Sequence, residues 1–132
     1  MNRHVDQVRD AFAAQAVGDL EPARELLGPG AILNVPGFLP VADPRGFDGL
    51  VAVMLEMMSR SDGGFASTLV DAIGAGEIVT TVNEVNATRH GRSITYHTVW
   101  TFRFTDGVVA EAWLHTSLSG QEIKRFYGFN EE

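Results

Sequence analysis

The run EAWLHTS, residues 111–117, places a carboxyl at Glu111, an indole at Trp113 and an imidazole at His115, each two residues apart. Side chains two apart share one face of a strand, so as a strand this run aims all three groups in one direction. His115 is the member best suited to catalysis, because imidazole exchanges a proton near neutral pH with little tuning. Two asparagines carry complementary chemistry. Asn34 in NVP and Asn83 in TVNEV offer amides that hold a carbonyl, a water or a developing oxyanion. Together these residue types suit proton abstraction or hydration: an isomerisation, a cyclisation or a hydrolysis. The other histidines are less promising, with His97 facing outward, His90 in a turn and His4 solvated. The four histidines are scattered, without HxxxH spacing or a His-carboxylate cluster, so neither a metal nor a cofactor is implied.

The elements that must position these groups follow from periodicity. Val5, Val8, Phe12 and Ala16 predict an amphipathic helix over residues 4–17. Asp19 caps a short second helix through Leu26 and Leu27, which Gly28-Pro29-Gly30 stops. AILNV reads as a short strand and PGFLPVADP as an irregular loop. Asp43-Pro44 predicts the start of a third helix, with Phe47, Leu50, Val51, Met54, Leu55 and Met58 as its apolar stripe. Four strands follow: FASTLVDAI, EIVTTVNEVNATR, SITYHTVWTFRFT and VVAEAWLHTS, with glycine-bearing turns between them. The tail QEIKRFYGF predicts one or two helical turns. Helices first and an antiparallel meander second mean an α+β domain, with the helices on one face of a curved sheet.

Two-residue turns set the register. A turn at His90-Gly91 pairs Asn83 with Thr98 and Thr81 with Trp100. A turn at Asp106-Gly107 pairs Trp100 with Trp113 and Thr98 with His115. One covered face then carries Asn83, Thr98 and His115 beside Thr81, Trp100 and Trp113, with Phe102 and Glu111 further along. Burial among apolar neighbours raises the Glu111 pKa in this reading, and its role is structural or at the rim of the pocket. A polar patch inside a covered concave face is what a small-molecule pocket looks like. His115, Asn34 and Asn83 are its catalytic candidates; Trp113, Trp100, Thr98, Thr81 and Tyr96 are its substrate-binding ones. The opposite face carries Val82, Val99, Ala110, Ala112 and Leu114 with a Glu84–His97 pair, and its apolar character predicts a homodimer through that convex face.

Composition bounds the rest. The chain of 132 residues is a single domain, 45% hydrophobic and 20% charged, with a net charge of -7. That charge argues against nucleic acid and anionic membrane surfaces. Its longest apolar run, LVAVMLEMM, is too short to span a bilayer. The opening residues lack an apolar signal core, and the absence of cysteine is compatible with the cytoplasm, the expected location.

With this layout, the chain resembles the SnoaL-like branch of the nuclear-transport-factor-2-like superfamily, which includes polyketide cyclases, ketosteroid isomerases and limonene-epoxide hydrolases. The resemblance rests on the paired N-terminal helices, NVPG after the first strand, PRGFDGLVAVM as the third helix and DGVVAEAW on the last strand. It implies a cone-shaped, strongly curved antiparallel sheet with the helices on its concave face, a pocket in the cone, and dimers. It also implies that Asn34 resembles the water-holding asparagine of the epoxide hydrolases and Trp113 their pocket tryptophan. His115 and Asn83 stand where those enzymes have aspartates, Thr81 where they have an arginine, and Ile32 where they have a tyrosine. The Asp-Arg-Asp machinery is therefore missing. The leading expectation is a cofactor-independent enzyme acting on a hydrophobic oxygenated molecule, with His115 as general base. The alternatives are a non-catalytic binding protein of the same fold and a dimerisation module whose cone is filled by its own side chains.

Overall fold

The computed structural model describes residues 2–62 and 64–129. Its N-terminal helix α1, Arg3–Ala16, starts where the Asn2 side chain accepts hydrogen bonds from the backbone of His4 and Val5 at 2.9 and 3.2 Å, supplying two of the donors a helix start leaves unpaired. Val8 and Ala11 are the buried residues of its apolar stripe. His4, expected in solvent, instead stacks on Phe104 with ring centroids 4.0 Å apart.

Helix α2, Glu21–Leu26, runs directly into strand β1, Leu27–Asn34. Gly28-Pro29-Gly30 therefore lies inside the strand, in an irregular stretch between the Leu27–Val109 and Ile32–Glu111 pairings. The third helix, α3, spans Gly46–Ser59, starting later than Asp43-Pro44 predicts. The reason is a tie to β1: Leu33 N–H donates to the Pro44 carbonyl at 3.2 Å, and Arg45 bridges Ile32. Gly46 is required at the join, because it holds φ +59 and a Cβ there would lie 2.8 Å from the Pro29 carbonyl oxygen.

Strands β2 (Ala66–Ala75), β3 (Ile78–Arg89), β4 (Arg92–Thr105) and β5 (Val108–Thr116) form the meander. The His90-Gly91 and Asp106-Gly107 turns have positive φ at both residues, the geometry that matches strand twist in a two-residue hairpin. The sheet order is β1-β5-β4-β3-β2. β1 joins β5 in parallel, so the curved sheet is mixed, with one parallel edge added to the expected antiparallel meander. Parallel partners need a long crossover, and here α3 and three strands make it.

The β3–β4 register is the predicted one, with Asn83 opposite Thr98, Thr81 opposite Trp100 and Glu84 opposite His97. The β4–β5 register is not. Thr105 pairs with Val108 as expected, but a bulge follows, where Phe104 opposes Val109 and Arg103 opposes Glu111. Ala110 is the extra residue, and everything beyond it changes face. Thr98 pairs with Thr116, Val99 with His115, Trp100 with Leu114 and Thr101 with Trp113. The expected Trp100–Trp113 and Thr98–His115 pairs do not exist. Glu111 supplies the physical reason. On the inner face its carboxylate would be desolvated without a partner; on the outer face it accepts from Arg103 at 3.2 Å and Asn34 at 3.0 Å.

The tail forms α4, Gly120–Tyr127, opened by a Ser119–Glu122 capping box and closed at Gly128 with φ 74. Two apolar clusters result. One joins α1 and α2 to Phe102, Phe104 and Val109; the other gathers Val85, Tyr96, Ile123, Phe126 and Tyr127 where α4 docks.

Candidate functional site

Between the two apolar clusters the concave face encloses a cavity of about 640 Å³, within the usual size range of small-molecule pockets. Tyr96, Thr98, Trp100 and Phe102 of β4 and Leu114 and Thr116 of β5 form its floor. Alternation along both strands, with the bulge in place, points all six the same way. Ala11, Phe12 and Gln15 of α1 make one wall, and Leu50, Val51, Val53, Met54, Met57 and Met58 of α3 make the facing one. Gln15 Nε2 donates to Met54 Sδ at 3.9 Å, so the two helices meet across the cavity. Leu55 and Met58 are exposed as well as lining, which places an opening beside α3. Methionines in such a wall adapt to irregular shapes through three rotatable bonds.

The polar atoms at the cavity are few and neutral. Among the described residues, no Asp, Glu, His, Lys or Arg lines it. Thr116 Oγ1 donates to the Leu118 carbonyl at 2.8 Å. The hydroxyls of Tyr96 and Tyr127 hydrogen-bond at 2.8 Å. Burial, followed by the neighbouring Tyr127, pushes the Tyr96 phenol well up, and burial also raises Tyr127. Both therefore remain protonated at neutral pH and present hydroxyls rather than phenolates.

The predicted site residues divide into three groups. Tyr96, Thr98 and Trp100 line the cavity. Thr81 and Asn83 share their face of the sheet but are fully buried, Asn83 Nδ2 donating to Thr81 Oγ1 at 3.1 Å. Asn83 Oδ1 has no hydrogen-bond partner among the described residues. Asn34, Trp113 and His115 lie on the opposite face. Asn34 Nδ2 also donates to the Ala112 carbonyl at 3.0 Å, Trp113 is half-buried, and His115 is exposed. His115 and Asn83 do not converge, because the Ala110 bulge turns His115 away. Glu111 is corrected with them. Hydrogen bonds from Asn34 and then Arg103 hold its carboxyl below the usual value, outweighing the opposing desolvation.

Residues that sequence reasoning missed include Leu114, Thr116, Gln15 and the methionines of α3. Gln15 stands three residues after Phe12, on the apolar stripe of α1, and MLEMM is visible in the chain; both were available signals. Tyr127 had none, since its partner Tyr96 is 31 residues away.

A family model described as a SnoaL-like domain matches residues 8–112. The chain belongs to the SnoaL-like family. Solved structures similar to this family member include proteins described as NTF2-like. An NTF2-like protein from Burkholderia pseudomallei K96243 superposes with a TM-score of 0.79 at 21% identity, over 96% of this chain and 98% of that one. IdmH from Streptomyces antibioticus, described as a candidate polyketide cyclase, gives 0.71 at 23% identity over 88% and 93%. TerC, co-crystallised with polyporic acid, gives 0.79 at 14% identity over 96% and 99%. These likenesses carry the fold. No curated protein matches the chain significantly. No helix among the described residues is long and apolar enough to cross a membrane.

Proposed function

We propose that this SnoaL-like protein binds a neutral, largely apolar small molecule bearing one or a few oxygens in its concave cavity. The observation that carries this reading is the cavity of about 640 Å³ whose described lining has no charged side chain. A carboxylate or ammonium entering it would lose its hydration without meeting a counter-charge, at a cost of several kcal/mol. A neutral ligand loses little and gains the contact area of the apolar walls. The co-crystallisation of TerC with polyporic acid supports small-molecule occupancy of this fold. The neutral dye Nile red tests the reading against anilinonaphthalene sulfonate, an anion with a comparable aromatic body. Nile red binds with a blue-shifted emission, and the anion binds at least about tenfold more weakly. Equal affinity for the anion, or no uptake of Nile red, overturns it.

A second reading is catalytic, and the Tyr96–Tyr127 pair favours it. When the Tyr127 hydroxyl donates to Tyr96, the proton of Tyr96 is free to serve a ligand oxygen. A phenol held neutral by burial is suited to hold a ligand carbonyl oxygen as negative charge develops on it. Cyclisation by attack of the ligand's own enol carbon on that carbonyl would then proceed by shape and hydrogen bonding, the enol proton passing to the new alkoxide oxygen, without His115. Once a substrate is in hand, Tyr96→Phe lowers turnover by roughly 10²–10³ with substrate affinity little changed, the usual loss for one such donor. Unchanged turnover in Tyr96→Phe removes this reading and leaves binding alone.

The convex face is the proposed homodimer surface, with its membership revised by the bulge. Ala112 and Leu114 point inward, so Trp113 joins Val82 and Val99 on the outer face, flanked by the Glu84–His97 and Arg103–Glu111 pairs. Trp113→Glu should convert the dimer to monomer in light scattering at micromolar concentration, because a charge would be buried unpaired at the contact. A wild-type protein that scatters as a monomer refutes the surface.

A further inference from the structure

Asn83 is the polar side chain that the binding reading leaves unexplained. It is completely buried, its amide nitrogen is committed to Thr81 Oγ1, and its amide oxygen has no partner among the described residues. A buried amide oxygen without a donor is an unusual and costly feature, and such groups call for a specific explanation. Turning the amide over does not remove the problem, since the nitrogen would then lack its acceptor. On the sheet, Asn83 stands between Leu69 of β2 and Thr98 of β4. Of these two neighbours only Thr98 borders the cavity. Asn83 itself does not border the cavity, so the donor that its Oδ1 lacks can come from the cavity side only by way of Thr98, through the Thr98 hydroxyl or one bridging water.

We propose that Asn83, acting with Thr98, is the specificity element of the cavity and selects ligands that carry a hydroxyl donor over matched ligands that carry only acceptors. This inference rests on the cavity-binding reading and adds to it the polarity of the recognised group. Thr98 can accept from a ligand hydroxyl or donate to it, whereas Asn83 Oδ1 can only accept. A ligand ending in an ether or ketone at this place would draw the single Thr98 proton to itself and leave the amide oxygen unpaired. A phenol, enol or alcohol would donate to Thr98 and leave the Thr98 proton for Asn83.

The probes are 9-phenanthrol and 9-methoxyphenanthrene, which share a fluorescent apolar body, are neutral at pH 7 and differ by the O–H donor. Wild-type protein should bind the phenol about tenfold or more tightly in fluorescence titration, the equivalent of about 1.4 kcal/mol. Asn83→Leu should bind both with the preference reduced to within about twofold. Thr98→Val supplies a second variant should Asn83→Leu fold poorly, and it should weaken the same preference. A purely structural Asn83 would change stability in Asn83→Leu without moving the ratio of the two affinities. Equal binding of the two probes by wild-type protein overturns this inference and leaves the cavity reading standing. Binding of neither overturns both.

Discussion

Leu114→Arg should abolish uptake of Nile red, raising its Kd at least about 100-fold, or about 2.8 kcal/mol. Leu114 stands on the cavity floor opposite Trp100, where a guanidinium both occupies space and meets no carboxylate among the described lining residues. To keep its charge hydrated, the arginine must bring water into the apolar cavity or push out towards the opening, and either response removes the surface the dye uses. The neighbouring substitution His115→Arg is the control. His115 is exposed on the other face, so this change should leave Kd within about twofold, inside the range of ordinary surface substitutions. The pair of variants therefore reads the strand's alternation directly. If His115→Arg destroys binding and Leu114→Arg spares it, the inward face of β5 has been assigned the wrong way round.

Deleting Ala112 should lower the unfolding free energy by about 3–5 kcal/mol or prevent folding, as measured by urea denaturation. The Glu111–Arg103 pairing lies before the deletion and is kept, so the residues beyond it move up by one and change face. Trp113 would turn beneath the helices into the space that Ala112 now occupies. Ala112 is fully buried, and replacing its methyl by an indole overpacks the site. Leu114 would leave the cavity floor and His115 would take its place. Deleting Ala110 is the control: without the extra residue Glu111 still follows Val109 onto the outer face opposite Arg103, every later residue keeps its side, and the loss should be the smaller of the two. A loss under about 1 kcal/mol on deleting Ala112 would mean that the cavity floor tolerates either register.

Much of the fold is legible in the sequence because its signals are local. The helical spacing of Val5, Val8 and Phe12, the Gly-bearing turns and the cluster of β-rich runs each depend on residues a few positions apart. The His90-Gly91 turn determines the whole β3–β4 ladder, since nothing interrupts it, and it correctly places Tyr96, Thr98 and Trp100 on the concave face with Thr81 and Asn83. The family resemblance was readable for the same reason, in the order of elements and the DGVVAEAW run.

The candidate catalytic residue was misplaced because its orientation is not a local property. A hairpin turn determines register only up to the first irregularity, and β5 is ambiguous on its own: EAWLHT offers Glu111, Trp113 and His115 to one side, Ala112, Leu114 and Thr116 to the other. The choice is made by Arg103 on β4 and Asn34 on β1, which hold the Glu111 carboxylate outside. Asn34 reaches it only because β1 lies parallel to β5 across a crossover of more than 70 residues, and no periodicity announces such a pairing. Sequence alone thus determined the elements, their order and one intact hairpin. Tertiary structure decided which side of the last strand faces the cavity, because burying an unpaired carboxylate costs more than inserting one residue into a strand.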